Sequence, residues 1–168
     1  MVGIVRHSQW RQIFSVPGIA ILIGLAVSGL WALSSPAGER LSGPIGAQVL
    51  RVLDGDTLEV SARIWLGQAV ETRVRLAGID APELRGGCAF ERELAVRARA
   101  HLVGRLGSVG GRPVRVSLYD ISAGKYGGRV LARVLTANNE DLGHSLLAAG
   151  LVRPYAGGGR RSWCAVAG

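Results

Sequence analysis

Leu58, Val60, Ala62 and Ile64 alternate with Glu59, Ser61, Arg63 and Trp65, and a period of two belongs to a strand with one face buried. After a "LGQ" turn, Val70, Thr72, Val74 and Leu76 alternate with Glu71, Arg73 and Arg75, so the two runs predict a hairpin. Upstream, "AQVLRVL" predicts another strand, joined to the hairpin through "DGDT". The period then lengthens: Phe90, Leu94, Ala98, Leu102 and Leu106 recur every fourth residue, which predicts an amphipathic helix of about four turns. "GSVGGRP" ends it, and Val114, Val116 and Leu118 alternate again as a fourth strand. "DISAGKYGG" turns the chain into a fifth, "RVLARVL", and "LGHSLLAAG" predicts a short helix stopped by Gly150, glycine being a frequent helix end. The order predicts an α+β, predominantly β domain of five antiparallel strands with one long and one short helix. Five short strands with a helix after the third fit a closed barrel of the OB type.

The ends of the chain read differently. Arg6 and Arg11 precede a run from Ile13 to Leu33 that carries no charge, and the next charge is Glu39. Residues 1–33 are therefore expected to be a signal peptide or a membrane anchor. "ALSSPAG" offers small residues for cleavage without a clean A-x-A site, so both readings stand. Either one puts the rest of the chain outside the cytoplasm, secreted, periplasmic or anchored, because the positive flank stays inside. A buried helix in water is disfavoured by Pro17, Gly18, Gly24 and Gly29. Residues 34–46, rich in Ser, Pro and Gly, read as a linker. The domain is expected over 47–156, with a tail at 157–168. Cys88 and Cys164 are the two cysteines, and in an exported chain they predict one disulfide. A metal pair is disfavoured by the absence of C-x-x-C and of a nearby histidine. His101 and His144, both in predicted helices, read as surface or packed residues.

Charge narrows the partner. A net charge of +8 and a pI of about 10.9 favour a polyanion, nucleic acid or an anionic membrane surface. Beyond residue 34 every basic residue except Lys125 is arginine. Its planar fork suits phosphate, although abundant Gly and Ala make codon usage the favoured account, so arginine richness carries little weight.

Two turns concentrate carboxylates. "VLDGDTLEV" holds Asp54 and Asp56 in a strand-to-strand turn, and alone it is only a common hairpin connection. It is no EF-hand loop, since Leu58 stands at a ligand position. In "RLAGIDAPE", an apolar strand led by Arg75 runs to Asp80, and Pro82 keeps Ala81 extended before Glu83. Carboxylates converging from both turns would make an oxygen-rich site for a hard cation that keeps several waters. A further carboxylate can take a proton from water, and nearby arginines can stabilise charge on a phosphate. That set points to phosphodiester hydrolysis. Phosphate-loop and serine-hydrolase signatures are absent, "SAGKYG" lacking the leading glycine and the Ser/Thr of a phosphate loop.

In this order and spacing, "VLDGDTLEV", "VRLAGIDAPE" and "KYGGRVLARV" resemble the staphylococcal nuclease (thermonuclease) family, from about Ala47 to Tyr155. The resemblance implies an OB-fold barrel and a Ca²⁺-dependent, endonucleolytic hydrolase of DNA and RNA, with single-stranded or denatured substrate preferred and a monomeric chain. It implies that Asp56 and Asp80 hold the metal, with the main-chain carbonyl of Ala81 as a third ligand and Asp54 in an outer shell. Glu83 matches the general base, and Arg75 and Arg129 match the two phosphate-clamping arginines. Lys125 and Tyr126 would touch a terminal phosphate or sugar, and Tyr155 would stack on a base or pack against the barrel edge. Two departures stand out. "KYGGR" has one glycine more than the family's usual "KYGR"; Arg129 keeps its place if Gly128 is absorbed in the turn, the reading favoured because "RVLARV" then retains its alternation, and is displaced if it is absorbed later. The chain also ends soon after "GGGRRSWC", without the long C-terminal helix of some relatives, for which the disulfide is expected to substitute. Two rival readings are a noncatalytic OB module that binds nucleic acid or protein, and a membrane-anchored structural domain whose basic face meets anionic lipid.

Overall fold

The structure, a computed structural model, describes residues 38–107, 114–125 and 127–164. The run Ile13–Leu33, with the expected signal or anchor, and Tyr126 lie outside the described residues. The described residues belong to one unit, Pro36–Gly168. In chain order its elements are β1 (Arg40–Leu41), β2 (Ile45–Val52), β3 (Thr57–Trp65), β4 (Gln68–Leu76), β5 (Ile79–Asp80), α1 (Ala89–Leu106), β6 (Val114–Ala123), β7 (Arg129–Thr136), α2 (Leu142–Ala148) and β8 (Arg153–Pro154).

Five of the strands close on themselves. β2 pairs with β3, β3 with β4, β4 with β7, β7 with β6, and β6 with β2. The fold is thus a closed five-stranded barrel with two helices, consistent with the OB architecture. One expectation is corrected, because the strands are not all antiparallel: β4 and β7 run parallel, with Arg73 opposite Arg129 and Leu76 opposite Ala132. Closure of an odd number of strands requires this, since alternation of direction around five members must fail once.

Alternation on β2, β3 and β4 places Val49, Leu58, Val60, Val74 and Leu76 in the barrel, where Val116, Leu118, Ala132 and Val134 meet them. Each fully buried aliphatic side chain contributes about 1.5–3 kcal/mol. α1 is 18 residues long, about five turns. It covers one end through Leu94, Ala95, Ala98, Leu102 and Leu106. Phe90, at the start of the predicted stripe, is 59% exposed, and burial along α1 begins only at Leu94. Leu142 and Leu146 of α2 join the same core. The β3–β4 hairpin also outruns the barrel, so Ile64, Trp65, Leu66 and Val70 are exposed although the alternation assigns Ile64 and Val70 to the inner face.

Segments 34–46 and 157–168, read from the sequence as linker and tail, are partly built into the fold. Arg40 and Leu41 pair with Ser122 and Ile121, β2 begins at Ile45, and Trp163 is buried in the core. Backbone pairing and one large aromatic therefore extend the domain at both ends beyond its periodic stretch. Cys88 and Cys164 form the expected disulfide across a sequence separation of 76.

Candidate active site

The "DGDT" turn connects β2 to β3. Its backbone closes through Leu53 and Asp54 N–H groups donating to the Thr57 carbonyl, at 2.9 and 3.2 Å. Gly55 lies against α1: a Cβ there would stand 2.9 Å from the Cβ of Ala98 and 3.4 Å from that of Ala81. Only glycine lets the turn sit this close to the helix and to the loop carrying Ala81. Asp54 turns back to accept from the Gly55 N–H at 2.9 Å. Asp56 points inward, 3% exposed, and accepts from the Thr57 hydroxyl at 2.7 Å.

Asp80 reaches the same place from another direction. The apolar strand predicted to run to Asp80 ends at Leu76, where Ala77 and Gly78 turn the chain. Gly78 takes φ +77°, a conformation that glycine adopts without penalty. Ile79 and Asp80 then pair with Pro154 and Arg153 as the short ladder β5–β8. Asp80 is 5% exposed. Arg75, one register step from the end of β4, places its guanidinium beside both acids, 2.7 Å from Asp56 Oδ2 and 3.7 Å from Asp80 Oδ1. Burial pushes the Asp56 carboxyl above its ordinary value, while the Arg75 charge and the Thr57 hydrogen bond pull the other way. The pocket therefore favours added positive charge.

Glu83 is exposed, on the loop between β5 and α1. That loop is held by the first turn of the helix: Glu91 accepts from the N–H groups of Gly87 at 3.0 Å and Glu83 at 3.3 Å, and Arg92 donates to the Gly86 carbonyl at 2.9 Å. Glu91 stands three residues after the N-cap Cys88, a position from which a carboxylate reaches back over the helix start. Sequence reading missed Glu91, although its place in the first turn was the available signal.

A second group of predicted residues lines an adjoining cleft. Leu53, Asp54, Thr57, Arg73, Gly127, Gly128 and Arg129 enclose about 290 Å³. Gly127 and Gly128 form the turn into β7, Gly128 at φ +74°, and the turn closes through the Gly124 N–H donating to the Arg129 carbonyl at 3.0 Å. The additional glycine is thus absorbed before the strand, and Arg129 heads β7 beside Arg73. Lys125 is exposed in the same turn. Tyr155 is half-buried, and its hydroxyl donates to the Gly158 carbonyl at 2.7 Å, an arrangement that packs it against the tail.

The tail supplies residues that periodicity did not single out. Arg160 Nε donates to Asp80 Oδ1 at 2.8 Å, Nη2 donates to the Ala81 carbonyl at 2.7 Å, and Nη1 pairs with Glu83 Oε1. Trp163 Nε1 donates to Asp80 Oδ2 at 3.2 Å. The signal for them was the cysteine pair, since Cys88 lies five residues after Glu83 and its partner Cys164 must bring the tail to that loop.

Asp56, Asp80 and the Ala81 carbonyl are all oxygen donors, the chemistry that a hard divalent cation takes, so the residues fit one. Among the described residues, Cys88, Glu91 and Cys164 also fall within ligand range of one another. Their two sulfurs are bonded in the disulfide and offer no thiolate. No family model matches the chain, and no curated protein matches it.

Proposed function

We propose that the protein is a Ca²⁺-dependent nuclease that hydrolyses phosphodiester bonds of DNA and RNA. The observation that carries this reading is the meeting of buried Asp56 and Asp80 around Arg75, with Glu83 at the rim and the Arg73–Arg129 cleft alongside. The motifs resembling the staphylococcal nuclease family supply the reaction class. Buried acids are costly unless cations join them; Arg75 and Arg160 do so here, and a divalent cation answers the same need.

Asp56, Asp80 and the Ala81 carbonyl would hold the cation, which when bound supplies charge neutralisation to the phosphate oxygens. Glu83 takes the proton of the attacking water. Arg75 and Arg129 donate to non-bridging phosphate oxygens as negative charge grows on them. Arg73, Arg129 and Lys125 draw the polyanion to the cleft, an attraction that weakens as salt rises.

The test is hydrolysis of denatured DNA by the purified chain, with Ca²⁺ or chelator, beside Glu83→Gln. Activity that needs Ca²⁺ and falls about 10²- to 10⁴-fold in the variant is expected. A folded protein that binds single strands yet cleaves none under any of these conditions overturns the reading in favour of a noncatalytic nucleic-acid-binding OB module.

A further inference from the structure

Arg160 meets three of the groups on which the nuclease reading depends. Its guanidinium is shared among the Asp80 carboxylate, the Ala81 carbonyl and the Glu83 carboxylate. The segment around it is fastened on both sides. Before it, the Tyr155 hydroxyl holds the Gly158 carbonyl. After it, Arg153 donates to the Ser162 carbonyl at 2.9 Å and stacks its guanidinium 3.7 Å above the Trp163 ring. Trp163, buried, donates to the second oxygen of Asp80, and the next residue is bonded to Cys88.

We propose that Arg160 is an inhibitory cation built into the chain: the disulfide-tethered tail sets it in competition with the divalent metal for Asp80, the Ala81 carbonyl and Glu83. The proposal rests on the nuclease reading of the same site. A metal ion binds carboxylate and carbonyl oxygens at about 2.3–2.6 Å, and a guanidinium hydrogen-bonded to the same atoms fills that space. Both satisfy the same need, positive charge beside buried acids, so one excludes the other. Tethering gives Arg160 a high local concentration that free metal must overcome. Glu83 has one carboxylate oxygen engaged by Arg160 in a charge-assisted pair, with which a water must compete for that oxygen. The tail therefore lowers the apparent metal affinity by the fraction of molecules in which it is open.

Calorimetric titration of Ca²⁺ into the full chain, with hydrolysis of denatured DNA in parallel, compares the wild type, Arg160→Gln and Arg161→Gln. Arg161 is the exposed neighbour and controls for the lost charge. With the site closed in most molecules, Arg160→Gln is expected to bind Ca²⁺ about tenfold more tightly or better, to cleave faster at limiting Ca²⁺, and to leave Arg161→Gln like the wild type. Unchanged or weaker Ca²⁺ binding by Arg160→Gln, with cleavage retained in all three, overturns the inhibitory role and leaves the nuclease reading standing. Neither Ca²⁺ binding nor cleavage in any of the three overturns both. If Arg160→Gln does not fold, reduction of Cys88–Cys164 in the wild type, below its melting temperature, releases the tether instead. Ca²⁺ binding must then tighten, and an unchanged affinity overturns the role.

Discussion

Arg75 has a structural duty separate from the phosphate contact proposed for it. It is the nearest cation to Asp56, a carboxylate almost without solvent, and removing one partner of a buried pair leaves an uncompensated charge. Arg75→Met is expected to destabilise the fold by about 3 kcal/mol, read as a lower urea midpoint with unchanged slope. Arg75→Lys keeps a charge near Asp56 but not the planar fork. It should lose less stability while, under the proposed nuclease function, cleavage of denatured DNA falls about 100-fold. Equal stability losses in the two variants would mean that the fork, and not the charge, holds Asp56. Asp56, Asp80 and Arg75, which meet here, were named from the sequence because the motifs that carry them resemble those of a known family. Arg160 was not, because its position follows from a covalent bond between distant cysteines and leaves no periodic trace.

At the scale of elements, the hairpin, both helices and the barrel class were readable from period alone. The parallel β4–β7 pair was not, since periodicity records which face a residue takes and not which strand it meets. The β6–β7 turn shows the same limit: sequence left two places for the additional glycine, and the backbone settles it at Gly128, φ +74°. Among the described residues nothing lies within 4 Å of a Cβ there, so Gly128→Ala pays the left-handed conformation, about 1–2 kcal/mol, visible as a lower Tm. Pairing of β2 with β3 carries a pH signature. Arg51 faces Glu59 across the ladder and donates to it at 2.6 Å. That hydrogen bond and charge hold Glu59 below its ordinary 4.5. A depressed carboxylate stabilises the fold above its unfolded pKa and loses that contribution as pH falls through the folded one. Glu59→Gln should therefore lower Tm slightly at pH 7, and the deficit should vanish in acid once Glu59 is protonated in the folded state as well. Because the pair is exposed, about 1 M salt should narrow the difference. A deficit that persists unchanged in acid would assign the effect to packing.

For the molecule as a whole, the disulfide decides how far the domain extends. Barrel and helices are cooperative through one core, yet the tail contributes a single buried aromatic, Trp163, and a few polar contacts, too little to order a glycine-rich segment by itself. Cys88–Cys164 closes a loop of 76 residues in sequence, and such a closure removes about 4–5 kcal/mol of unfolded-state entropy. For a domain of this size, that predicts a Tm lower by roughly 10 to 20 °C after reduction. The Cys88→Ser, Cys164→Ser double variant should match the reduced wild type, because both lose the same constraint. Circular dichroism melts with and without reductant check it, with the double variant insensitive to reductant. Coincident curves for oxidised and reduced wild type would show that the bond adds nothing to the cooperative unit, and that Trp163 docks without its help.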